Sequence, residues 1–271
     1  MVDTHSHLLP AVDHGSPDLS TSLCMARVAA EAGVGTVVCT PHLYEYDVVV
    51  LQRAQEAVSQ LRNALLEENI ALELRLGFEA TTEVVADADR KELQSLVIEG
   101  SAVDGSEGAI IIEMPFQGWP VFLEETVFRL STEGFIPVIA HPERNDRVQN
   151  DLSLLEKLMA AGAVLQGTAG SLSPLFRRSS QRTFHELLVR GWFSLLASDA
   201  HADTRYTYSL VPLVEELAGR VSDSTLDVLV RENPCLLLRG HRPRRVGRVT
   251  EEGQETRAGG LISRLRRRKE R

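Results

Sequence analysis

Short apolar runs alternate with segments of helical periodicity along most of the chain, and this alternation limits the fold more than any other feature. Runs such as Ile136–Ala140 are continuously apolar, as expected for parallel strands buried on both faces. Strand–helix alternation predicts a single-domain parallel α/β fold, and seven units favour a barrel over an open sheet. The predicted strands are Met1–Thr4, Gly35–Thr40, Leu72–Phe78, Ala109–Met114, Ile136–Ala140, Ala163–Gln166 and Phe193–Ala197.

Start and stop signals mark the helices between these strands. Ser16 and Pro17 supply an N-cap and a first-turn proline, and Gly33 closes that helix. The last predicted helix ends at Pro234, which cannot continue a helical hydrogen-bond ladder. The last predicted helix is Ser222–Asn233. The others are Val48–Leu66, Glu124–Gly134, Asp151–Gly162, Leu175–Gly191 and Tyr208–Gly219.

Charge divides the chain near residue 240. From Arg239 onward, 12 Lys and Arg stand against 4 Asp and Glu, a formal charge of +8, whereas the preceding residues carry −17. We therefore predict a barrel domain over residues 1–240 and a basic, disordered tail over residues 241–271. The tail is either a solvated segment or a docking arm for an acidic partner or an anionic membrane surface.

Composition argues against several classes of protein. An acidic body repels a phosphate backbone, so no nucleic-acid partner is expected. No apolar run approaches the length of a membrane span, and no basic segment followed by an apolar stretch opens the chain. Three scattered cysteines do not form a disulfide framework. Together these features predict a cytoplasmic protein without stable membrane insertion.

Side chains that bind metal ions recur where the predicted strands end. His5 and His7 lie two residues apart, so in extended backbone they point to the same side. The other members of the set are His14, His42, Glu79, Glu113, His141, Asp199 and His201. Six of the eight histidines belong to this set, which scattered structural histidines would not produce. Because the C-terminal ends of barrel strands gather at one rim, we expect these side chains to form a metal centre there.

The ligand types limit the metal. Imidazole and carboxylate without thiolate suit Zn²⁺, Mn²⁺ or Fe rather than a Cys-rich structural site. Nine ligands exceed the needs of one ion, so we expect two or three ions bridged by a carboxylate such as that of Glu79. Clustered ions suit phosphoryl transfer, because they lower the pKa of a bridging water and stabilise charge on the attacking and leaving oxygens.

Two arginines lie on the same predicted loops. Arg144 comes three residues after His141, and Arg205 comes four residues after His201. A guanidinium binds a phosphate dianion through two parallel hydrogen bonds, so we expect both to bind phosphate rather than to be ordinary surface arginines. Glu143 is expected either to orient Arg144 or a ligand histidine, or to be solvated.

Aromatic side chains also follow two of the candidate ligands. They are Tyr44 and Tyr46 after His42, and Phe116, Trp119 and Phe122 after Glu113. Two interpretations stay open for each group. The rings either line the substrate side of the site, where a phenyl ring could stack, or pack in the core, an interface or an exposed turn.

Taken in order, the motifs resemble those of a known superfamily. Asp-x-His-x-His, Asp-His-Gly, Thr-Pro-His, Gly-x-Glu, Ala-His-Pro-Glu-Arg and Ser-Asp-Ala-His are similar to those of the polymerase-and-histidinol-phosphatase (PHP) superfamily. The resemblance covers residues 1–240. It is nearest to the bacterial manganese-dependent protein-tyrosine phosphatases of capsule and exopolysaccharide operons. The combination of motifs is specific, whereas each motif alone is not.

This resemblance implies a distorted seven-stranded (β/α)7 TIM-like barrel with a trinuclear Mn²⁺ centre. The implied sites are His5, His7, Glu79 and Asp199 for the first ion, Glu79, Glu113 and His141 for the second, and His14, His42 and His201 for the third. It also implies phosphate binding by Arg144 and Arg205, which with Asp199 are the expected catalytic residues. The implied substrate is phosphotyrosine on a tyrosine kinase that governs polysaccharide export, attacked directly by metal-bound hydroxide.

One position departs from the usual pattern of these phosphatases. They usually show Asp-Asp-Gly where this chain has Asp13-His14-Gly15. Histidine at this position resembles other members of the superfamily. Two ligands therefore stay open for the third ion, either His14 itself or the neighbouring Asp13.

Three other functions use the same residues. A small-molecule phosphatase, such as one acting on histidinol phosphate, shares the metal core. A binding or regulatory module could keep the barrel without turnover, although the nearly complete ligand set argues against it. A related hydrolase acting on C–N bonds or DNA fits the Thr-Pro-His and Ser-Asp-Ala-His motifs less well.

Overall fold

Parallel strands and the helices between them form one α/β fold in the computed structural model of the protein. The structure describes residues 1–102, 108–173, 176–202, 210–218 and 220–249. Within these ranges the strands are β1 (Val2–Ser6), β2 (Thr36–Cys39), β3 (His42–Leu43), β4 (Glu73–Leu76), β5 (Glu79–Thr81), β6 (Gly108–Glu113), β7 (Phe135–Ala140), β8 (Val164–Thr168) and β9 (Phe193–Ala197).

Helices connect most of these strands. They are α1 (Leu19–Glu31), α2 (Val48–Glu67), α3 (Thr82–Asp87), α4 (Arg90–Leu96), α5 (Leu123–Thr132), α6 (Asp146–Asn150), α7 (Ser153–Ala160), α8 (Arg178–Val189), α9 (Leu210–Leu217), α10 (Asp223–Asp227) and α11 (Asn233–Leu237). The N-cap of α1 is Asp18 rather than Ser16, because the Asp18 carboxylate accepts a hydrogen bond from the Thr21 N–H at 2.8 Å. None of the helices in the described ranges has both the length and the apolarity of a membrane span.

The strands form two parallel sheets, ordered β1-β2-β4 and β3-β5-β6-β7-β8-β9. The second and third predicted strands correspond to β2 and β4, and the short strands β3 and β5 after them were not predicted. Thr40 and Pro41 form an interruption between β2 and β3, and Gly77 and Phe78 form one between β4 and β5. A proline has no N–H for the ladder, which explains the first interruption. The Gly77 N–H donates to the Cys39 carbonyl at 2.9 Å and the Glu79 N–H to the Pro41 carbonyl at 3.1 Å, so the chain segments stay joined across both breaks.

The two sheets also meet along β1 and β9. The Asp199 N–H donates to the His5 carbonyl at 2.9 Å, and the His7 N–H donates to the Ala200 carbonyl at 3.0 Å. β1 extends two residues beyond its predicted end, so His5 belongs to the strand itself. The sheets are thus linked at both ends, and their closure as a seven-stranded barrel stays a prediction.

Strands such as β6 are apolar throughout because each face packs into a different apolar cluster. Ile110 and Ile112 belong to the larger cluster, which includes the helices, whereas Ala109 and Ile111 belong to a smaller one. All four side chains are fully buried. The alternation follows from the two-residue period of a strand, and it explains why the sequence shows continuous rather than alternating apolar runs.

The prediction that the last helix ends at Pro234 was wrong. α10 continues through a π-helical turn, Val228–Glu232, into α11, whose first turn contains Pro234. The Asn233 N–H donates to the Val228 carbonyl five residues earlier. This wider turn places Pro234 at the start of a helix, where its missing N–H needs no partner.

The segment that follows α11 contacts the body of the protein. The buried Asn233 side chain donates to the carbonyls of Ser194 at 2.8 Å and Arg244 at 2.7 Å, and it accepts from the Arg244 N–H at 2.9 Å. These bonds tie β9 to the start of the predicted tail. Residues 250–271 lie outside the described ranges, so the disorder of the tail and the boundary at residue 240 stay predictions.

We predict that Asn233→Ala lowers the free energy of unfolding by about 2 kcal/mol, because one buried and two partly buried backbone groups lose their partner. Urea unfolding followed by circular dichroism measures this, with an unchanged slope and a lower midpoint. Asn63→Ala, at an exposed position of α2, is the matched control and should not destabilise. A change below about 0.5 kcal/mol for Asn233→Ala, the range typical of surface substitutions, would contradict this role.

Candidate metal centre

The nine predicted metal ligands lie at the C-terminal ends of β1, β2, β4, β6, β7 and β9 or in the segments that follow them, and His42 and Glu79 begin the short strands β3 and β5. His5 is in β1, with His7 and His14 after it; His42, Glu79 and Glu113 are in β3, β5 and β6; His141 follows β7, and Asp199 and His201 follow β9. Strand direction therefore brings residues that are far apart in sequence to one end of the sheets. Their side chains form one contiguous cluster, hereafter the metal-ligand cluster.

Four buried side chains of the cluster converge on one point. The Nε2 atom of His5 lies 3.2 Å from Glu79 Oε2 and 3.5 Å from Asp199 Oδ1. The Nε2 atom of His7 lies 3.3 Å and 3.2 Å from the same two oxygens. The two Nε2 atoms are 3.3 Å apart. This is the group that the resemblance implied for a first ion.

A second group shares Glu79. The Nδ1 atom of His42 lies 3.1 Å from Glu79 Oε2 and 3.3 Å from Glu113 Oε2. The Nε2 atom of His141 lies 2.7 Å from Glu79 Oε1. Of the implied second set, Glu79 and Glu113 thus form a group with His42, and His141 contacts the other oxygen of Glu79.

A third group consists of imidazoles. Ligand atoms of His7, His42 and His201 lie within 4.8 Å of one another. The Nε2 atoms of His14 and His201 are 3.2 Å apart, and the ring of His14 stacks on that of His42 with centroids 4.8 Å apart. The implied third set is therefore assembled, with His7 beside it.

Asp13 has a different position from the one left open by the sequence. Its carboxylate accepts hydrogen bonds from His7 Nδ1 at 2.6 Å, the Gly15 N–H at 2.8 Å and the His42 N–H at 3.1 Å. Both oxygens are thus engaged by protein groups. Of the two alternatives, His14 is the residue whose side chain faces the third group, while Asp13 orients His7.

In three histidines, the ring nitrogen that points away from the cluster is in hydrogen-bonding contact with an oxygen atom. The Nδ1 atom of His5 lies 2.8 Å from Gln166 Oε1, and the Nδ1 atom of His201 lies 3.1 Å from the Asp199 carbonyl oxygen. His7 makes the equivalent contact with Asp13. In each case Nε2 is turned toward the cluster. A proton on Nδ1 would leave the Nε2 lone pair for a metal ion, which is the usual arrangement of a metal-binding histidine.

The geometry fits divalent cations. Ligand atoms bound at about 2.1 Å around a tetrahedral ion lie about 3.4 Å apart, close to the spacings in the first two groups. Among the described residues, His42 Nδ1, Glu79 Oε2 and Glu113 Oε2 are buried atoms without a hydrogen-bond partner, yet they face one another. Buried polar atoms are normally satisfied, and a cation between these three would satisfy all of them.

Charges in the cluster shift its pKa values in opposite directions. Burial lowers the pKa of His7, but hydrogen bonds, the strongest from Asp13, raise it well above its usual range. Burial raises the pKa of Glu79, but the charge of His5 and further hydrogen bonds hold it well below. Burial and the neighbouring His7 lower the pKa of His201 to about 4. The interior therefore attracts positive charge, while His201 stays neutral at pH 7.

Two of the cluster residues have left-handed backbone. His141 has φ 34° and Asp199 has φ 54°. Non-glycine residues rarely adopt these angles, which store strain and occur where a side chain must be aimed. His141 directly follows β7 and Asp199 comes two residues after β9, so each turn redirects the side chain across the end of the sheet.

Arg144 is buried beside the cluster. Its Nη1 donates to Asp199 Oδ2 at 2.6 Å, its Nη2 to Thr168 Oγ1 at 2.7 Å and its Nε to Ser171 Oγ at 2.9 Å. The guanidinium also lies over the Phe176 ring, 4.3 Å from its centroid. Arg205, the other predicted phosphate ligand, lies outside the described residues.

Glu143 is fully buried, so of the alternatives left open it is not solvated. Its Oε1 atom accepts from the Ser171 hydroxyl at 2.6 Å and from the Thr168 N–H at 3.1 Å, with the Thr168 hydroxyl at 3.4 Å. A hydroxyl has one proton to donate, and a carboxylate can only accept. Glu143 therefore turns the oxygen atoms of both hydroxyls toward the donors of Arg144.

Sequence reasoning missed Gln166, Thr168 and Ser171. They lie in β8 and the turn after it, at the end of the only predicted strand to which we assigned no site residue. The rule that placed ligands at strand ends would have found them. They were overlooked because amides and hydroxyls are not typical metal ligands, whereas here they hold ligands and the arginine in place.

The cluster and the fold match a known family. A profile described as "Capsular polysaccharide synthesis, CpsB/CapC" matches residues 1–239. The chain belongs to the CpsB/CapC family. Membership confirms the family resemblance drawn from the sequence motifs.

Two curated relatives of this family align over most of the chain. The tyrosine-protein phosphatase YwqE of Bacillus subtilis (strain 168) is 35% identical over 248 residues, covering 88% of this chain and 92% of YwqE. The putative tyrosine-protein phosphatase CapC of Staphylococcus aureus is 28% identical over 219 residues, covering 80% and 83%.

Solved structures agree with the family. One from a study of YwqE and of CpsB from Streptococcus pneumoniae, described as unique metal-dependent tyrosine phosphatases, superposes with a TM-score of 0.75 at 30% identity, covering 95% of this chain and all of the other. The lactonase Lmo2620 of Listeria monocytogenes superposes with a TM-score of 0.52 at 13% identity, covering 90% and 94%. The second likeness extends to the fold alone.

We predict that Gly15→Ala weakens the binding of divalent metal ions about tenfold to a hundredfold, the range typical of lost support for a ligand. A methyl group at residue 15 would lie 2.3 Å from His7 Cβ and 2.4 Å from the His7 carbonyl oxygen, so His7 must move. Titration calorimetry with Mn²⁺ measures the affinity. Gly247→Ala, whose added methyl group meets nothing within 4 Å, is the control. Equal affinities for both variants would show that His7 tolerates the methyl group.

Proposed function

We propose that the protein is a metal-dependent phosphotyrosine-protein phosphatase whose centre holds two or three Mn²⁺ ions, with Zn²⁺ or Fe as alternatives. The metal-ligand cluster around the shared Glu79 carboxylate carries the proposal. The named activity of YwqE, at 35% identity, supports phosphotyrosine as the substrate. No contact among the described residues favours histidinol phosphate as the substrate.

Each ligand has a proposed role. His5, His7, Glu79 and Asp199 would hold the first ion; Glu79, Glu113 and His141, joined by His42, the second; His14, His42 and His201 the third. Bound ions would activate a water as the nucleophile and neutralise the phosphate charge. Asp13 and Gln166 keep the imidazoles of His7 and His5 in the orientation that this requires.

Arg144 is proposed to bind the substrate phosphate. A guanidinium has five N–H groups, and the contacts made with the described residues use three of them. One N–H on each Nη atom is left for phosphate oxygens. Asp199 contacts both Arg144 and the first ligand group, so it would fix the phosphate relative to the ions. We propose the same phosphate-binding role for Arg205.

The remaining parts of the proposal concern the cellular setting. The substrate is proposed to be a tyrosine kinase that regulates capsule or exopolysaccharide synthesis, consistent with the family description. The protein is proposed to act in the cytoplasm, with its basic tail contacting an acidic partner or a membrane surface. The two sheets are proposed to close as a distorted seven-stranded barrel over residues 1–240.

We predict that a chelator abolishes hydrolysis of a phosphotyrosine peptide, that Mn²⁺ restores it, and that thiol alkylation changes it less than twofold. The metal-ligand cluster contains no cysteine, and burial raises the pKa of the Cys39 thiol, which disfavours a thiolate nucleophile. Phosphate release and elemental analysis are the measurements. Activity in metal-free protein, or a higher kcat/KM on histidinol phosphate, would overturn the proposal.

We predict that Glu143→Gln raises the inhibition constant of inorganic phosphate about tenfold, because Glu143 supports Arg144, the proposed phosphate ligand. The metal content should not change. The amide keeps an oxygen for the Ser171 and Thr168 groups but loses the negative charge that strengthens those hydrogen bonds, so the hold of the two hydroxyls on Arg144 weakens. Competition assays and elemental analysis measure the two quantities. Glu156→Gln, exposed on α7, is the control, and an unchanged phosphate affinity in Glu143→Gln would exclude this role.

A further inference from the structure

We propose that Tyr44 and Phe116 form an aryl-binding subsite at the mouth of the metal-ligand cluster. The subsite would select aryl phosphate monoesters over alkyl ones. This inference rests on the proposed phosphatase function and deepens it, since it identifies the residues that recognise the organic part of the substrate.

Tyr44 stacks on a cluster histidine. Its ring is nearly parallel to that of His42, at an interplanar angle of 12° with centroids 5.2 Å apart. The side chain nevertheless stays 60% exposed. One face of the ring is thus supported by the cluster, and much of the remaining surface is open to a ligand.

Phe116 has an equivalent position on another histidine. Its ring is tilted by 55° to that of His141 with centroids 6.1 Å apart, and it is 52% exposed. Its loop is fixed by backbone bonds, because the Asp146 N–H donates to the Phe116 carbonyl at 2.9 Å and Asn145 Nδ2 donates to the Pro115 carbonyl at 2.7 Å. A ring held in this way binds without a large ordering cost.

The other aromatic residues of the two predicted groups lie elsewhere. Trp119 packs against the apolar core. Phe122 lines a separate surface groove together with Phe128. The Tyr46 hydroxyl lies 3.1 Å from Ser95 Oγ. Of the alternatives left open by the sequence, substrate-side placement therefore applies to Tyr44 and Phe116 alone.

Each ring lies beside a histidine that contacts the shared carboxylate. His42, which supports Tyr44, contacts Glu79 Oε2 at 3.1 Å, while His141, beside Phe116, contacts Glu79 Oε1 at 2.7 Å. Single exposed aromatic residues are common on protein surfaces and need no function. Here two exposed rings lie beside imidazoles that contact the same carboxylate, which places both next to the proposed ions.

The chemistry of the substrate matches this placement. In an aryl phosphate a single ester oxygen separates the phosphorus from the ring, so a phosphate held at the ions places the ring beside the ligand histidines. Aromatic rings bind one another in offset-stacked or edge-to-face arrangements. A phenyl ring beside the ions can therefore contact an aromatic side chain at this position, whereas a serine or threonine phosphate offers no face to stack.

The test compares binding and turnover in the Mn²⁺-loaded full chain. Binding of phenylphosphonate and methylphosphonate is measured by calorimetry, and kcat/KM is measured on phosphotyrosine and phosphoserine forms of one peptide. We expect Tyr44→Ala and Phe116→Ala each to weaken phenylphosphonate binding about threefold to tenfold, in line with the loss of one aromatic contact. Methylphosphonate binding should stay unchanged, and Tyr44→Phe should behave as the parent.

Phe128→Ala, which removes an exposed ring from α5 in the separate groove, is the matched control and should alter neither ligand. If Tyr44→Ala and Phe116→Ala weaken the binding of both phosphonates equally, or do not weaken phenylphosphonate binding, the proposed subsite is wrong. The proposed phosphatase function would still stand. If no phosphoester is hydrolysed, the proposed function fails, and the phosphonate preference still decides whether the rings bind an aryl group.

Discussion

The site depends on one buried carboxylate surrounded by imidazoles. The two oxygens of Glu79 lie between 2.7 and 3.3 Å from ring nitrogens of four histidines, namely His5, His7, His42 and His141. A carboxylate taken out of water without compensation costs several kcal/mol, so this position requires positive charge close by. The arrangement suits cations, because each ligand atom is already desolvated and oriented toward the other ligand atoms.

A second layer of residues gives the cluster its geometry. Asp13 and Gln166 hold two imidazoles by the nitrogen that faces away from Glu79, and Glu143 holds Arg144 through two hydroxyls. None of these contacts needs a bound ion. The protein therefore presents a preorganised site, in which ligand orientation is set by hydrogen bonds to strands and turns rather than by the ligand itself. Farther out, the partly exposed rings of Tyr44 and Phe116 lie beside His42 and His141.

Much of this arrangement was predictable from local patterns. Continuous apolar runs identified the parallel strands, and the recurrence of His, Asp and Glu at their ends identified the side of the fold that carries the site. The errors have specific causes. Pro234 was expected to end a helix, but a π-helical turn absorbed it. The short strands β3 and β5 were not predicted, because two or three residues are too few to show a strand pattern. The support from Gln166 was missed because an amide does not resemble a metal ligand.

The sequence by itself determined that the chain alternates strands and helices, and that ligand-type side chains collect at one end of a parallel sheet. Both follow from period, burial and chain direction, which are local properties. Only the tertiary structure decided which histidine shares which carboxylate, that His14 rather than Asp13 faces the third group, and that Tyr44 and Phe116 lie beside histidines that contact Glu79. These pairings join residues as distant as His5 and Gln166, 161 positions apart, and such contacts depend on how strands stack and turns bend rather than on any short segment.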